Sequence, residues 1–354
     1  MSLKDKMSQS TDLRQLIIEY LKCKELVSSK EIHDAVKQFA AYATVKRTLQ
    51  SLISEGYIQI IGNGKSTKYC LSPSFSIIAP INLETYFLKE IDERQIRSDF
   101  NLILIDEVLN STQLFSEGEL ERLNNLQSVF RHNTSNLTED EFNREFERLA
   151  IDLSWKSSQI EGNTYSLLET ELLLREKQTA AGKTKDEAIM LLNHKEALDF
   201  ILSNKDYVNP LTTSRIEDLH SILMKELKVG RNIRKRRVGI SGTNYKPLDN
   251  EFQIREALQA MCNLINSKTN VFEKALLSLV LISYIQPFED GNKRTARIIS
   301  NAILMNEGFC PISFRTIDSI EYKKAMLVFY EQNNITPFKM IFVEQFEFAV
   351  KTYF

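Results

Sequence analysis

The sequence predicts a mostly α-helical protein that begins with a small domain of three helices and a β-hairpin. Two observations carry this prediction. Apolar residues recur at helical spacing over most of the chain after Leu83, and two β-rich runs flank Gly-Asn-Gly at residues 62–64. The composition, 43% hydrophobic and 26% charged over 354 residues, is that of a globular protein with two or three domains.

The first part of the chain follows the order helix, helix, helix, hairpin. The first helix carries apolar residues at helical spacing from Leu13 onward. The second opens on a Ser28 or Ser29 cap, and the third ends at Gly56. This order resembles a winged helix-turn-helix domain, in which the third helix is the recognition helix and Gly62–Lys68 is the wing.

The resemblance implies that this domain, within residues 1–75, binds duplex DNA. Tyr42 and Thr44 would face the edges of bases. Four basic side chains would meet phosphates: Lys46, Arg47, Lys65 and Lys68. A winged helix that only packs against protein is the alternative, and the sequence leaves both open.

The remainder of the chain is predicted to be helical. "LSPSFSIIAPIN", at residues 71–82, has two prolines and no helical period, so it marks a linker or boundary. We therefore expect a winged-helix domain (1–75), a helical linker region (76–138) and a helical domain (139–354). Helices are predicted at Glu119–Arg131, Glu139–Ile160, Leu167–Lys177, Lys185–Ser203, Thr212–Leu227, Gln253–Ser267, Val271–Ile285, Asn292–Asn306 and Ser319–Asn333.

One segment interrupts this helical pattern. "NIRKRRVGISGTNYKPLD", at residues 232–249, places β-branched residues around Gly239 and Gly242. Residues of this kind favour strands, and glycines favour the turn between them. The segment is therefore predicted to form a β-hairpin within the helical domain.

The overall charge and the cysteines limit the kinds of site and the cellular location that we expect for this protein. The formal net charge is −2, so any site for an anion must be local. Four scattered cysteines (Cys23, Cys70, Cys262 and Cys310) form no C-x-x-C pair and indicate reduced thiols. There is no signal-peptide core and no apolar run long enough for a bilayer, so we expect a cytoplasmic protein without a membrane partner. A homodimer is left open.

The most informative stretch is "QPFEDGNKRTAR", at residues 286–297. Pro287 cannot continue the preceding helix, and Asp290 and Gly291 make a turn before the next one. The backbone amides of Gly291–Lys293 thus lie at a helix N-terminus, which favours an anion. Arg294 and Arg297 share one face of that helix, as suits a polyphosphate, and Asp290 could hold a magnesium ion on the phosphates.

The alternative interpretation of this loop, without a ligand, is a helix cap followed by a solvated basic turn. However, cations in a first helical turn oppose the helix dipole, and Lys293, Arg294 and Arg297 all lie there. A bound anion would relieve that repulsion. The pattern therefore favours a phosphate site over a simple cap.

The same stretch resembles the signature of the Fic family, His-Pro-Phe-x-(Asp/Glu)-Gly-Asn-(Gly/Lys)-Arg-x-x-Arg, at every defined position but the first. "SSQIEGN", at Ser157–Asn163, resembles the inhibitory motif of the family, (Ser/Thr)-x-x-x-Glu-(Gly/Asn). The hairpin predicted at Arg237–Pro247 fits the flap that covers the target. The resemblance extends from about Glu139 to the C-terminus and implies an all-helical Fic core.

What the resemblance implies is transfer of AMP from ATP to a Ser, Thr or Tyr hydroxyl of a target protein. Asp290 would hold Mg²⁺, Arg294 would contact the phosphates and Arg297 would contact the γ-phosphate. The anion hole would be formed by Gly291, Asn292 and Lys293. The inhibitory motif (Ser157, Glu161 and Gly162) would act through Glu161, which competes with the γ-phosphate for Arg297. The flap residues that would clamp the target strand are Gly239, Ile240, Gly242 and Tyr245.

Two departures from the family pattern bear on the activity. Gln286 stands where the family has its catalytic His, and an amide cannot accept the proton of the target hydroxyl. Lys293 stands where many AMP-transferring members have Gly. Doc-like members, which resemble kinases, have Lys at this position, but they lack the second Arg, which is present here as Arg297. Besides AMP transfer, two alternatives stay open: a catalytically impaired nucleotide-binding regulator that binds DNA, and a Doc-like phosphotransferase.

Overall fold

The computed structural model describes residues 12–354, apart from the side chain of Lys65. The predicted phosphate contact of Lys65 therefore lies outside the described part of the chain. The described residues fall into two compact units. The N-terminal unit contains residues 12–79 and Ser111–Ser116, and the helical unit contains Pro80–Asn110 and Glu117–Phe354.

The N-terminal unit has the predicted order of three helices and an antiparallel strand pair. Its elements are α1 (Leu13–Lys22), α2 (Ser29–Val36), α3 (Tyr42–Ser54), β1 (Ile58–Ile61), β2 (Lys68–Leu71) and α4 (Phe75–Ile78). The side chains of Asp12 and Ser28 cap α1 and α2. Strands β1 and β2 pair with Ile58 opposite Leu71, and one apolar core joins the helices to this pair.

The helical unit is built from eleven helices in the described chain, with a single-turn 3₁₀ helix at Ile91–Glu93 and a π-helix at Leu104–Leu109. They are α5 (Leu83–Phe87), α6 (Glu117–Ser135), α7 (Glu139–Ile160), α8 (Leu167–Glu176), α9 (Lys185–Ser203), α10 (Thr213–Leu223), α11 (Glu251–Ser267), α12 (Val271–Ile285), α13 (Asn292–Asn306), α14 (Ser319–Gln332) and α15 (Thr336–Tyr353). The mostly helical fold class is confirmed.

Helix α12 is the centre of the helical unit. Its residues from Ala275 to Ile285 are all buried, because a helix that is apolar on every side must be surrounded by other helices. Helices α11, α13, α14 and α15 pack around it. The amphipathic α13 buries all but a few of its residues against α12, α10 and α9. This packing fixes the turn between α12 and α13, where the sequence predicts the site.

One predicted element is absent from the described chain, and two helices in it had no predicted bounds. The segment at residues 232–249 contains no strand pair, although it reverses at Ser241–Gly242. Its backbone groups bond elsewhere: Arg234 N donates to the carbonyl of Pro287 (2.9 Å), and Lys246 N donates to the carbonyl of Ser98 (2.7 Å). The short helix α4 lies in the predicted linker, and α15 was not among the predicted helices.

No helix in residues 12–354 is long and apolar enough to cross a membrane. The most apolar of them, α12, has 15 residues, whereas a spanning helix needs about 20. Its apolar surface is used instead in the core of the helical unit.

Candidate functional site

The turn between α12 and α13 is braced by two amide side chains. Gln286 ends α12 in a left-handed conformation, with φ of 51°. Its Nε2 donates to the carbonyl of Ser283 (2.6 Å), and its Oε1 accepts from Nδ2 of Asn292 (2.9 Å). Oδ1 of Asn292 in turn accepts from the backbone N–H of Phe288 (2.9 Å). Both polar atoms of Gln286 are therefore used to hold the turn.

Gly291 is the N-cap of α13, in a backbone conformation that residues with side chains rarely adopt. Its φ is 80°, and a Cβ at this position would lie 2.5 Å from Cε of Met224. No side chain caps the helix, so the amides of its first turn have no intrahelical acceptor. The start of α13 thus has the open amides and the dipole that favour an anion.

Two buried arginines follow on the same helix. The side chain of Arg294 is 1% exposed, and its Nη2 donates to Oδ2 of Asp290 (3.0 Å). The side chain of Arg297 is fully buried, lies over the ring of Tyr322 at 5.3 Å and donates through Nε to Oγ of Ser157 (2.8 Å). Nε and Nη1 of Arg294 and Nη1 of Arg297 have no hydrogen-bond acceptor among residues 12–354.

Glu161, at the end of α7, is held by two cations. Its Oε1 accepts from Nη2 of Arg297 (2.9 Å), and its Oε2 lies 3.4 Å from Nζ of Lys293. Burial opposes ionisation of this carboxyl, but the charges of Arg297 and Lys293 outweigh it and lower its pKa. Glu161 is therefore an anion at neutral pH, placed on the face where the sequence predicts a phosphate.

Asp290 stands at the open side of the turn. Its Oδ1 accepts from the backbone N–H of Gly291 (2.6 Å), and its Oδ2 accepts from Arg294. The side chain is 61% exposed, so oxygen lone pairs remain accessible from solvent. In the described chain no three His, Cys, Asp or Glu residues gather as a metal site. A cation here would need further oxygen ligands from a bound molecule or water.

A cavity of about 420 Å³ joins these parts. Its lining comes from the end of α7 (Ile160, Glu161 and Gly162), from Gly239, Ile240 and Ser241, from the turn (Gln286 and residues 289–293) and from α14 (Lys323, Met326, Leu327 and Tyr330). The structure thus brings together the predicted turn, the predicted inhibitory residues and part of the predicted flap. Ser157 does not line the cavity, but its hydroxyl and its carbonyl accept hydrogen bonds from Arg297.

The predicted flap residues divide into two groups. Gly239 and Ile240 line the cavity, whereas Tyr245 is buried, stacks on Tyr284 and donates its hydroxyl to a backbone carbonyl. Burial raises the pKa of that hydroxyl well above its usual value. Gly242 lies close to α14, since a Cβ added to this glycine would lie 3.4 Å from Leu327. Tyr245 and Gly242 therefore anchor the segment rather than line the cavity.

Helix α14 supplies cavity residues that sequence reasoning did not single out. Lys323, Met326, Leu327 and Tyr330 recur at helical spacing and face the turn. That spacing was in the sequence, but it indicates only an apolar face of a helix. Which neighbour the face meets depends on the packing of α14 against α12 and α7.

Two histidines lie near the turn without lining the cavity. His220 stacks on Phe288, and its ring nitrogens lie 3.1 and 3.0 Å from the carbonyl oxygens of Arg231 and Asp290. Burial lowers its pKa to about 4, although those bonds favour the charged ring. Burial lowers the pKa of His194 well below its usual value, with Arg297 adding to the effect. Neither ring is placed to take a proton within the cavity.

Residues 210–304, which contain α10, α11, α12, the turn and most of α13, match the model of the Fic/DOC family. Protein adenylyltransferase Fic of Nematostella vectensis is 31% identical over 175 residues, 48% of this chain and 40% of that protein. Protein adenylyltransferase fic-1 of Caenorhabditis elegans is 25% identical over 201 residues, 55% of this chain and 39% of that protein. The chain spans about two fifths of the length of these relatives.

Solved structures support the same fold. Residues 134–508 of C. elegans Fic-1 superpose with a TM-score of 0.59 at 21% identity, covering 66% of this chain and 71% of that chain. A Fic-domain-containing signaling protein of Bacteroides thetaiotaomicron superposes with a TM-score of 0.57 at 22% identity, covering 65% of this chain and 94% of that chain. At these identities the similarity concerns the fold.

Proposed function

We propose that the helical unit transfers AMP from ATP to a Ser, Thr or Tyr hydroxyl of a target protein. The relatives named as protein adenylyltransferases support this reaction class. The observation that carries the proposal is the pair of buried guanidinium groups on α13, Arg294 and Arg297, which keep N–H donors without an acceptor among residues 12–354, in the same helix whose N-terminal amides have no side-chain cap. Buried donors of this kind need acceptors, and phosphate oxygens provide them.

Each residue of the turn has a role in this proposal. The backbone amides of Asn292 and Lys293 bind phosphate oxygens, and that of Gly291 joins them once it leaves Oδ1 of Asp290. Arg294 contacts the phosphates, and Arg297 receives the γ-phosphate. The exposed carboxylate of Asp290 suits Mg²⁺, which typically binds one or two carboxylates together with phosphates and water. When bound, the ion would neutralise charge on the phosphates.

Glu161 is the proposed inhibitor of the site. Its carboxylate uses the donor of Arg297 that the γ-phosphate would need, and Lys293 reinforces it. One anion must leave before the other can bind, because both need the same donors. ATP would then bind unproductively, or weakly, until Glu161 moves.

Gln286 limits the catalytic power of this chain in the proposal. A general base must accept the proton of the target hydroxyl, and neither a carboxamide nor the enclosed His220 can do so. The impaired regulator therefore remains the nearest alternative. In the Doc-like alternative, the γ-phosphoryl group would be transferred instead of AMP.

The test of the inhibitory role is Mg–ATP binding to the full chain with Glu161→Gly. We expect the affinity to rise about tenfold, the effect of one charge-assisted hydrogen bond. Glu307→Gly is the matched control, because Glu307 also ends a helix and has nearly the same backbone angles (φ −94°, ψ 9°, against −90° and 6°). Equal affinities for the parent and Glu161→Gly proteins would remove the inhibitory role.

A second function, DNA binding, is proposed for the N-terminal unit. The observation that favours it is the distribution of charge: between Tyr42 and Leu71 the sequence has four basic residues and a single acid, Glu55, which pairs with Arg14. Lys46 and Arg47 are exposed on α3. A helix with exposed basic residues suits the phosphates of a duplex, whereas Lys68 on β2 lies 3.4 Å from Oε2 of Glu31.

Its test is the salt dependence of duplex binding by the full chain. Lys46→Ala with Arg47→Ala should reduce the slope of log K against log salt by about two, since each phosphate contact contributes about 0.9. Lys24→Ala with Lys30→Ala, which changes two exposed lysines outside α3, is the control and should leave the slope unchanged. Binding to protein but not to any duplex would favour the packing alternative.

A further inference from the structure

The segment Asp92–Ser98 runs beside the flap, defined here as residues 237–247. The carbonyl of Ser98 accepts from Lys246 N (2.7 Å), and an isolated parallel bridge pairs Asp99 with Lys246. Oδ1 of Asp92 accepts from Nδ2 of Asn244 (3.1 Å). The segment thus holds the flap at both ends of the stretch from Asn244 to Lys246.

Arg94 is the central contact of this segment. Its Nη2 donates to the carbonyl of Gly242 (2.8 Å), at the turn of the flap. Its Nη1 lies 3.2 Å from Oε1 of Glu331, and the two side chains are 4% and 0% exposed. The guanidinium also lies over the ring of Phe87 at 5.1 Å. One planar group therefore joins the flap to the end of α14.

The segment is fixed to α14 by bonds other than those of Arg94. Arg97 N donates to the carbonyl of Glu331 (2.9 Å), and the side chain of Gln332 donates to the carbonyl of Gln95. The hydroxyl of Tyr86 donates to Oε2 of Glu331 (2.5 Å). Because α14 also lines the cavity, the segment connects one wall of the cavity to the flap.

We propose that Asp92–Ser98 is a strap that positions the flap over the cavity, with Arg94 as its positioning residue. Irregular backbone without a sheet or helix of its own is mobile unless other groups bind it. Here the strap replaces the strand pairing that the flap lacks. It leaves Gly239 and Ile240, nearer the turn, as the part of the flap that a target segment can meet. The contact with a target segment depends on the proposed transfer function, but the positioning of the flap by the strap does not.

The test is hydrogen exchange of the full chain, read at the amide of Lys246, which bonds to the strap. In Arg94→Lys the compact ammonium keeps the charge beside Glu331 but cannot reach both partners as a planar fork does. We expect exchange at Lys246 to become about tenfold faster, as for the loss of one charge-assisted bond. Arg97→Lys, an exposed position in the same segment, is the control and should leave this exchange unchanged.

Exchange of the α12 amides separates positioning from general destabilisation. An increase confined to Lys246 and its neighbours supports the strap, and an equal increase throughout α12 contradicts it. Asn244→Ala provides a second test in case Arg94→Lys does not fold, because Asn244 is exposed and its loss should still accelerate exchange at Lys246. Unchanged exchange in both variants would overturn the proposal. None of these readouts requires ATP binding or transfer, so they can fail independently of the proposed function.

Discussion

At the scale of single residues, Glu161 contacts more than the sequence suggested. The resemblance implied its partner Arg297, and the two are 2.9 Å apart. The second partner, Lys293, could not be predicted, because its contact depends on how the end of α7 meets the start of α13. From the sequence, Lys293 is expected to be part of the anion site and is a departure from the family pattern. In the structure it is a second cation beside the carboxylate of Glu161.

The lowered pKa of Glu161 gives a prediction about pH. A carboxyl whose pKa is depressed on folding keeps its ion pair above its ordinary pKa and loses it only as pH falls through the lowered value. We therefore expect the ratio of Mg–ATP dissociation constants, parent over Glu161→Gly, to stay constant from about pH 8 to about pH 6. Titration of ATP itself cancels in this ratio. A ratio that falls toward one over this range would show that the carboxyl is not held as described.

Gln286 illustrates what a sequence can and cannot say about one residue. Its lack of basicity follows from its chemistry alone. Its bonds to Ser283 and Asn292 do not, because they arise from the left-handed end of α12 and the turn that follows. The resemblance pointed to a missing base at this position. The structure adds that the amide serves as a brace of the turn.

At the scale of elements, helices with strong terminal signals were predicted with correct bounds. Helices α7 and α9 begin after capping boxes at Thr138 and Thr184, and α12 begins after Asn270 and stops before Pro287. The segment at residues 232–249 is not a hairpin, because strand propensity is weak against other bonds, such as those of Arg234 to three backbone carbonyls.

The N-cap of α13 permits a clean test of the anion site. Gly291→Ala should lower Mg–ATP affinity and thermal stability, because the new Cβ would lie 2.5 Å from Met224 at a φ that disfavours Ala. Gly308→Ala is the control, since Gly308 has a similar φ (70°) but no atom within 4 Å of a Cβ. If both variants lose affinity equally, the close approach at Gly291 is not what shapes the site.

At the scale of the whole molecule, the cavity draws on parts that are far apart in sequence. The end of α7, the flap, the turn before α13 and α14 all contribute. The sequence motifs marked the first three, because each carries glycines or charges in an unusual pattern. The contribution of α14 and the strap at Asp92–Ser98 carry no such pattern, and only the tertiary packing brings them to the site.

The central claim is that this chain binds ATP for AMP transfer, with Glu161 as the inhibitor and Gln286 in place of the base. Incorporation of α-labelled ATP into protein, with cell lysate as the source of targets, tests it most directly. Glu161→Gly should label feebly, and Glu161→Gly with Gln286→His should label at least about a hundredfold faster, the typical effect of a general base. Gln286→Asn in the same background is the control and should not label faster. Equal labelling with and without the histidine, label that enters only from γ-labelled ATP, or no labelling while ATP still binds would contradict the account.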